Sequence, residues 1–356
     1  MSDPAPVTGA HAESAARRPD ADAIDSPKAG RAALRGSVVR GGGYVLGVLL
    51  SLIAAPLLVR HLGVVDFGRY TTVVSLVALI ASLVDAGLNG IALREWSTTS
   101  GAERTAGMRN LLGIRIVFTT LGGVAATLFA VVAGYDETLV TGTVLISTGF
   151  VLQAVASFLT VPLQGDLRFG WMTLIELGRQ FVTVPLIVVL VVAGAGLLPF
   201  FVVPIPAALA ALVATAVLVR GKTPLRPSFH VRLWWPQLKA TFVYAIAIAL
   251  NAVYLRITII LLALVSTPEQ TGYFATSFRV IEVLIAVPTF AIGAAFPILA
   301  RSGATDRDRF QRAAERILEL ALTAGVLLSL SVVLVAPFAI EVIGGAEAEP
   351  ATEVLQ

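Results

Sequence analysis

The sequence predicts an all-α, polytopic transmembrane helix bundle, and three observations predict it. Apolar residues make up 56% of the chain and charged residues only 14%, against about 25% charged in an average globular domain. The apolar residues gather in nine runs, near 42–59, 70–92, 111–133, 139–162, 172–193, 199–219, 241–265, 272–299 and 317–340. Each has about the ~20 residues that a helix rising ~1.5 Å per residue needs to cross a ~30 Å hydrocarbon core. The third observation is where the basic residues fall. The N-terminal segment and the gaps around 94–109, 163–171, 220–240 and 301–316 hold 20 of the 26 Lys and Arg. The other gaps, with the segment after 340, hold only Arg60 and Arg69. The positive-inside rule then places the N-terminus and the basic gaps in the cytoplasm, as expected of a multi-pass protein of the cell membrane. With nine crossings, Gln356 falls outside.

In chain order, residues 1–40 are rich in Ala, Pro, Asp and Arg with no apolar h-region. They are expected to be a disordered cytoplasmic tail, not a cleavable signal peptide. Residues 41–220 hold six runs and form a first transmembrane bundle. Gly43 and Gly47 match a small-xxx-small pattern there, which is expected to reflect ordinary close helix packing. The basic, Pro-containing stretch Arg220-Gly221-Lys222-Thr223-Pro224-Leu225-Arg226-Pro227 opens a cytoplasmic linker and interfacial segment over 221–240. Trp234 and Trp235, among basic residues at its end, are expected to anchor it at the inner interface. Residues 241–356 hold three runs, a partial second bundle. A weak internal repeat supports the division. Phe67-Gly68-Arg69-Tyr70 and Thr271-Gly272-Tyr273-Phe274 each end a short outer turn on Gly just before an aromatic that opens the next helix. Six crossings separate them and return the chain to its starting side, as parallel repeats require.

Several chemistries are excluded. There is no cysteine, so no disulfide framework or thiolate metal site exists. The three histidines, His11, His61 and His230, are scattered and form no metal cluster, and no cofactor is expected. Gly221-Lys222-Thr223 ends like a P-loop, but Ala216 stands where the first Gly belongs and no strand precedes it. Asp306-Arg307-Asp308 sits in a short cytoplasmic loop and reads as a solvated charge run. The basic balance follows membrane orientation, so no nucleic-acid partner is implied. Nothing in the chain suggests nucleophilic catalysis or an enzyme.

Arg60-His61-Leu62-Gly63-Val64-Val65-Asp66-Phe67-Gly68-Arg69-Tyr70, followed by Val84-Asp85-Ala86-Gly87-Leu88-Asn89, resembles the opening of the polysaccharide or oligosaccharide flippases. Those belong to the multidrug/oligosaccharidyl-lipid/polysaccharide exporter superfamily. Thr271-Gly272-Tyr273-Phe274-Ala275 through Arg279, with Pro297-Ile298-Leu299-Ala300-Arg301, is similar to the start of that family's second bundle. The resemblance covers roughly residues 40–340. It implies a MATE-like two-bundle fold and a lipid-linked (polyprenyl-diphosphate) oligosaccharide carried from the cytoplasmic to the outer leaflet for cell-surface polysaccharide synthesis. Membrane lipids are implied neighbours. A polysaccharide polymerase and glycosyltransferases of the same pathway are implied partners. Two departures stand out. The family usually has twelve to fourteen spans, and the second bundle here reads as incomplete. The family's seventh span often carries an acidic residue soon after its Arg, where this chain has Arg256-Ile257-Thr258.

Charges inside the apolar runs are the candidate functional residues, because a charge at bilayer depth usually faces a cavity or a partner. Counting ~1.5 Å per residue, Arg256 lies roughly 13 Å from the outer end of its run and Arg279 roughly 12 Å below the outer end of the next. Glu282 lies one turn deeper, at i+3 from Arg279, and can pair with it. Arg256 then reads as the less compensated cation. It could hold a diphosphate bidentately, or it could clamp helices by sharing Glu282 or capping carbonyls. Asp85, with Asn89 at i+4, lies in a second layer nearer the cytoplasm. Its span offers no nearby cation, which makes Asp85 a candidate cavity residue. Glu176 and Arg179, at similar depth, read as a mutually neutralised pair near the interface. Arg115 enters its run at the inner end and is expected to snorkel to the headgroups.

The combined expectation is a flippase with substrate contacts at Arg256, Arg279, Glu282, Asp85 and Asn89, working by alternating access. A drug/cation antiporter of the same superfamily is the first rival, and a net acidic cavity would mark it. A membrane-embedded sugar polymerase or transferase is the second, and long outer loops with catalytic groups would mark that. A truncated fragment with no activity is the third.

Overall fold

The computed structural model describes residues 27–85, 87–166, 168–221, 226–285 and 307–356, and these are helices and turns with no strand among them. Helix α1 spans Pro27–Asp85 and breaks at Gly63 (φ 69°, ψ 173°), a conformation open to Gly because it has no Cβ. The first two apolar runs therefore sit on the two arms of one helical stretch. The helix starts at Pro27, inside the stretch expected to be an unstructured tail. Its Ala- and Arg-rich sequence favours helix, and proline is tolerated at a first turn, where no intrahelical N–H bond is lost. Residues 1–26 lie outside the described residues, as do 222–225 of the linker, Asp306, and the motif Pro297 to Arg301.

Next come α2 (Leu88–Thr98), α3 (Gly101–Val132), α4 (Glu137–Leu159), the short α5 (Val161–Gly165), α6 (Phe169–Val192), α7 (Leu197–Val202) and α8 (Pro204–Leu218). A 3-10 turn at Val231–Leu233 leads into α9 (Trp234–Val265), followed by helix α10 over 268–285. Then α11 (Arg307–Gly344), a 3-10 turn (Ala346–Ala348) and α12 (Ala351–Leu355) complete the described chain. Six helical stretches among the described residues are long and apolar enough to cross a membrane: Ile53–Thr98, Gly101–Val132, Glu137–Gly165, Phe169–Val192, Leu197–Leu218 and Gln311–Gly344. A shorter apolar helix covers Ala249–Val265. The difference from nine runs has identifiable sources. The first two runs join through the Gly63 break, the eighth passes out of the described residues after 285, and the seventh is described as an apolar helix only from Ala249.

Two turns at the end poor in basic residues close identically. After α3, Tyr135 N donates to Ala130 O (3.0 Å) and Gly134 N to Val131 O (3.1 Å), with Gly134 at φ 74°. After α6, Ala195 N donates to Leu190 O (3.0 Å) and Gly194 N to Val191 O (3.1 Å), with Gly194 at φ 66°. These are Schellman caps, which satisfy the last carbonyls of a helix that would otherwise be orphaned. Asp136 then caps α4, accepting from Leu139 N at 2.9 Å, and pairs with Arg69 of α1. Asp136→Ala is expected to cost about 1 kcal/mol through the lost cap. Thermal unfolding of the purified chain would show a lower midpoint, largely restored by Asp136→Asn, which keeps the capping oxygen.

The alternate gaps gather at opposite ends of the bundle. At the end poor in basic residues, His61 Nε2 donates to Ala195 O (2.7 Å) and Arg60 Nη2 donates to Glu341 O (2.8 Å). At the basic end, Arg109 Nε donates to Arg226 O (3.1 Å) and Ser228 N to Arg109 O (2.9 Å). There too Trp96 donates to Asp166 (3.4 Å) and carries the Arg104 guanidinium 4.6 Å from its ring centroid. Trp234 is not purely a headgroup anchor. Its Nε1 and the His230 backbone N–H both donate to Asn110 Oδ1 at 3.1 Å, which docks the linker onto α3. Trp235 is exposed, as an interfacial aromatic should be. Many large apolar side chains also face outward, Val192 and Val265 at 82% exposure among them. Such faces suit lipid, not water.

The core lies in layers. Trp96, Met108, Leu111, Ile114, Phe158 and Leu163 pack together toward the basic end. Val73, Leu76, Val77, Ile146, Phe201 and, from α9, Ile260 pack together toward the other end. Gly43 packs on Thr173 and Gly47 on Gln180, both of α6, so this small-residue pair is ordinary close packing. The helices carrying the two repeat motifs pack closely where the motifs cross. A Cβ on Gly68 would lie 2.7 Å from Gly272 N and 2.9 Å from its Cα. A Cβ on Gly272 would lie 2.7 Å from Val64 Cγ1. Neither position admits a side chain without moving a helix.

Candidate functional site

A cavity of about 320 Å³ lies between the two arms of α1, α6, α9 and α10, and its wall mixes apolar side chains with a compact charged group. Helix α9 brings Arg256 and α10 brings Arg279 and Glu282. Glu282 serves both cations: its Oε1 lies 3.0 Å from Arg256 Nη2 and its Oε2 lies 2.8 Å from Arg279 Nη1. The i,i+3 pairing of Arg279 and Glu282 follows from helix geometry. Sharing with Arg256 does not, because it needs α9 and α10 side by side. Arg256 is therefore compensated, and the clamp and the cavity-lining readings describe the same arrangement. All three side chains stay partly accessible, at 29%, 39% and 24% for Arg256, Arg279 and Glu282.

Arg179 of α6 completes the wall. It pairs with Glu176, Nε to Oε2 at 3.1 Å, as the i,i+3 spacing predicts. Its place is different from the expected one. It lines the same cavity as Arg256 and Arg279, whereas depth counting assigned it to a layer near the cytoplasm. Among the described residues, the cavity wall thus carries three guanidinium groups, with Glu282 paired to Arg256 and Arg279 and Glu176 paired to Arg179. Tyr70, Thr71, Gln180 and Thr183 add polar groups to the wall, and the Gln180 Oε1 is buried with no hydrogen-bond partner among the described residues.

Asp85 and Asn89 do not join this group. Asp85 lines a second cavity, of about 190 Å³, inside the first bundle between α1, α3 and α4. There it pairs with Arg115, whose side chain is only 3% exposed. Two expectations are corrected. Arg115 does not reach the headgroups; it points into the bundle, because a carboxylate on the neighbouring helix offers a better partner than distant phosphates. Asp85 does have a cation beside it, supplied across the helix interface and invisible along its own span. The Asn89 Oδ1 is buried with no hydrogen-bond partner among the described residues, and Asn89 lines neither cavity. Removing one member of a buried pair leaves an uncompensated charge, at a cost of about 3–5 kcal/mol. Because the Arg115 side chain is only 3% exposed while Asp85 is 42% exposed, the larger penalty follows from removing Asp85, and Arg115→Leu with Asp85→Leu should be clearly more stable than Asp85→Leu alone. Detergent unfolding of the three chains checks this.

An all-α bundle of long apolar helices around a charged cavity is the build of a multi-pass membrane protein. A family profile described as "Polysaccharide biosynthesis protein" matches residues 33–302, and the chain belongs to that family. Its fold is shared with a solved structure titled "Inward-facing conformation of a multidrug resistance MATE family transporter of the MOP superfamily". That likeness has a TM-score of 0.65 at 14% identity and covers 86% of this chain and 74% of that one. No curated protein matches the sequence. No group of three or more His, Cys, Asp or Glu side chains able to hold a metal ion occurs among the described residues.

Proposed function

We propose that this protein flips a polyprenyl-diphosphate-linked oligosaccharide from the cytoplasmic to the outer leaflet for cell-surface polysaccharide synthesis. The observation that carries the reading is Glu282 held between two guanidinium groups in a cavity between the bundles. A carboxylate bridging two arginines occupies the place that a diphosphate would take, because both offer oxygens that accept charge-assisted bonds. The substrate would displace Glu282 from one or both guanidinium groups, and Glu282 would return as the head leaves. Family membership supports the glycan, and three arginines in one cavity wall support an anionic head over a cationic drug. The head would cross through the cavity while the lipid tail stays in the bilayer.

Alternating access asks for a seam that can open at each end in turn. The Gly68–Gly272 crossing supports an outer seam closed in this conformation. Basic residues clustered at the opposite end support a cytoplasmic N-terminus and residence in the cell membrane. A polymerase and glycosyltransferases working on the same glycan would be the neighbouring activities.

The test is transport by the full chain in liposomes loaded in one leaflet with a polyprenyl-diphosphate hexose. Movement of that lipid, and none of a polyprenyl-linked hexose lacking phosphate, is expected. Equal movement of both, or export of an organic cation instead, would overturn the reading.

A further inference from the structure

The cavity inside the first bundle has no role in holding a diphosphate, and its chemistry is unlike that of the central site. Its charges cancel, since Asp85 and Arg115 pair. What remains open is polar and of both signs. The Arg115 Nε, a donor, and the Gln153 Oε1, an acceptor, are both buried without a hydrogen-bond partner among the described residues. Leaving such groups unpaired costs about 1–3 kcal/mol each, so a ligand that pairs both is strongly favoured. An anion would answer only the donor and a metal cation only the acceptor. A hydroxyl-bearing neutral molecule answers both, because each hydroxyl donates and accepts. Thr119 and Ser157 add hydroxyl groups to the wall and Phe150 adds an aromatic ring. The volume of about 190 Å³ equals roughly six waters at ~30 Å³ each, enough for one sugar ring.

The position suits the same cargo. Val74 lines the central cavity, and Ala81 and Asp85 line the second. These positions recur at i, i+7 and i+11, which is one face of α1. The two cavities are therefore served by a single helix stripe, roughly 16 Å apart at ~1.5 Å per residue.

We infer that the Asp85–Arg115–Gln153 cavity is a subsite for one neutral sugar unit of the glycan whose diphosphate sits at Arg256 and Arg279. This rests on the flippase reading above.

The experiment measures binding of the purified full chain in nanodiscs to bare polyprenyl diphosphate. It also uses a panel of the same lipid carrying a trisaccharide of glucose, galactose or N-acetylglucosamine, because a single sugar beside the diphosphate cannot span the gap between the two cavities. At least one glycosylated lipid should bind about tenfold tighter than the bare one, equivalent to about 1.4 kcal/mol. Gln153→Leu, and separately Ser157→Ala, should shrink that gain to threefold or less with bare-lipid affinity unchanged. The unchanged affinity also reports that each variant is folded. Arg256→Ala should weaken binding of the bare and the glycosylated lipids by the same factor. No gain from any sugar, or a gain untouched in both variants, overturns the subsite while leaving the flippase reading intact, and the cavity then holds water only. Failure of every lipid to bind overturns the diphosphate reading and the subsite with it.

Discussion

Arg256→Ala should lower transport of a polyprenyl-diphosphate sugar by about 10- to 100-fold, the loss of one charged hydrogen-bonding partner worth about 1.5–3 kcal/mol. Arg256→Lys should fall between, since an ammonium keeps the charge but loses the bidentate fork. Glu282→Gln provides the decisive contrast. If the carboxylate stands where the diphosphate goes, removing its charge should tighten binding of the bare lipid diphosphate and slow its release. Binding affinity would rise while turnover in liposomes falls. Weaker binding in Glu282→Gln would instead mark the glutamate as a substrate contact. Normal transport by Arg256→Ala would remove Arg256 from the site.

Gly272→Val should nearly abolish transport, because the helix crossing at Gly68 leaves no space for a side chain. Overpacking a tight contact costs typically about 1–3 kcal/mol. Here the cost falls on the conformation in which the two halves touch and is relieved wherever they part. The variant should therefore shift the chain toward an open outer seam. The chain has no cysteine, so a single Thr71→Cys reporter in the cavity wall gives an unambiguous label site. An impermeant maleimide added outside should react with that reporter faster in Gly272→Val than in the parent. Gly272→Ala should have a smaller effect in the same direction. Unchanged labelling and full transport would show that the seam does not move.

The charged triad was legible in the sequence because Arg256, Arg279 and Glu282 interrupt apolar runs, where a charge is conspicuous. Counting residues placed them at a common depth, and the i,i+3 pair followed from helix geometry. Arg179 was equally visible, yet its place in the same cavity was not. Depth along a helix says nothing about which way that helix faces or how it is tilted against its neighbours. Thr71 and Gln180 carried no signal, since one polar residue on a membrane helix is common, and Tyr70 stood out only as the aromatic of the repeat motif. The Asp85–Arg115 pair was missed for a related reason. Its partners sit on different helices, and their meeting depends on α1 and α3 lying side by side.

The sequence by itself determined the membrane class, the helices and the sorting of loops to two ends. Hydrophobic run length and the distribution of Arg and Lys are local quantities, and the bilayer reads them one segment at a time. The repeat motifs at Gly68 and Gly272 were also visible as spacing. Only the tertiary structure decided that these two glycines touch, that one glutamate serves two arginines, and that Arg115 turns inward to Asp85. Each of those outcomes depends on the packing of helices distant in sequence. Close approach of backbones and the desolvation of charges are settled by neighbours in space, not by neighbours along the chain.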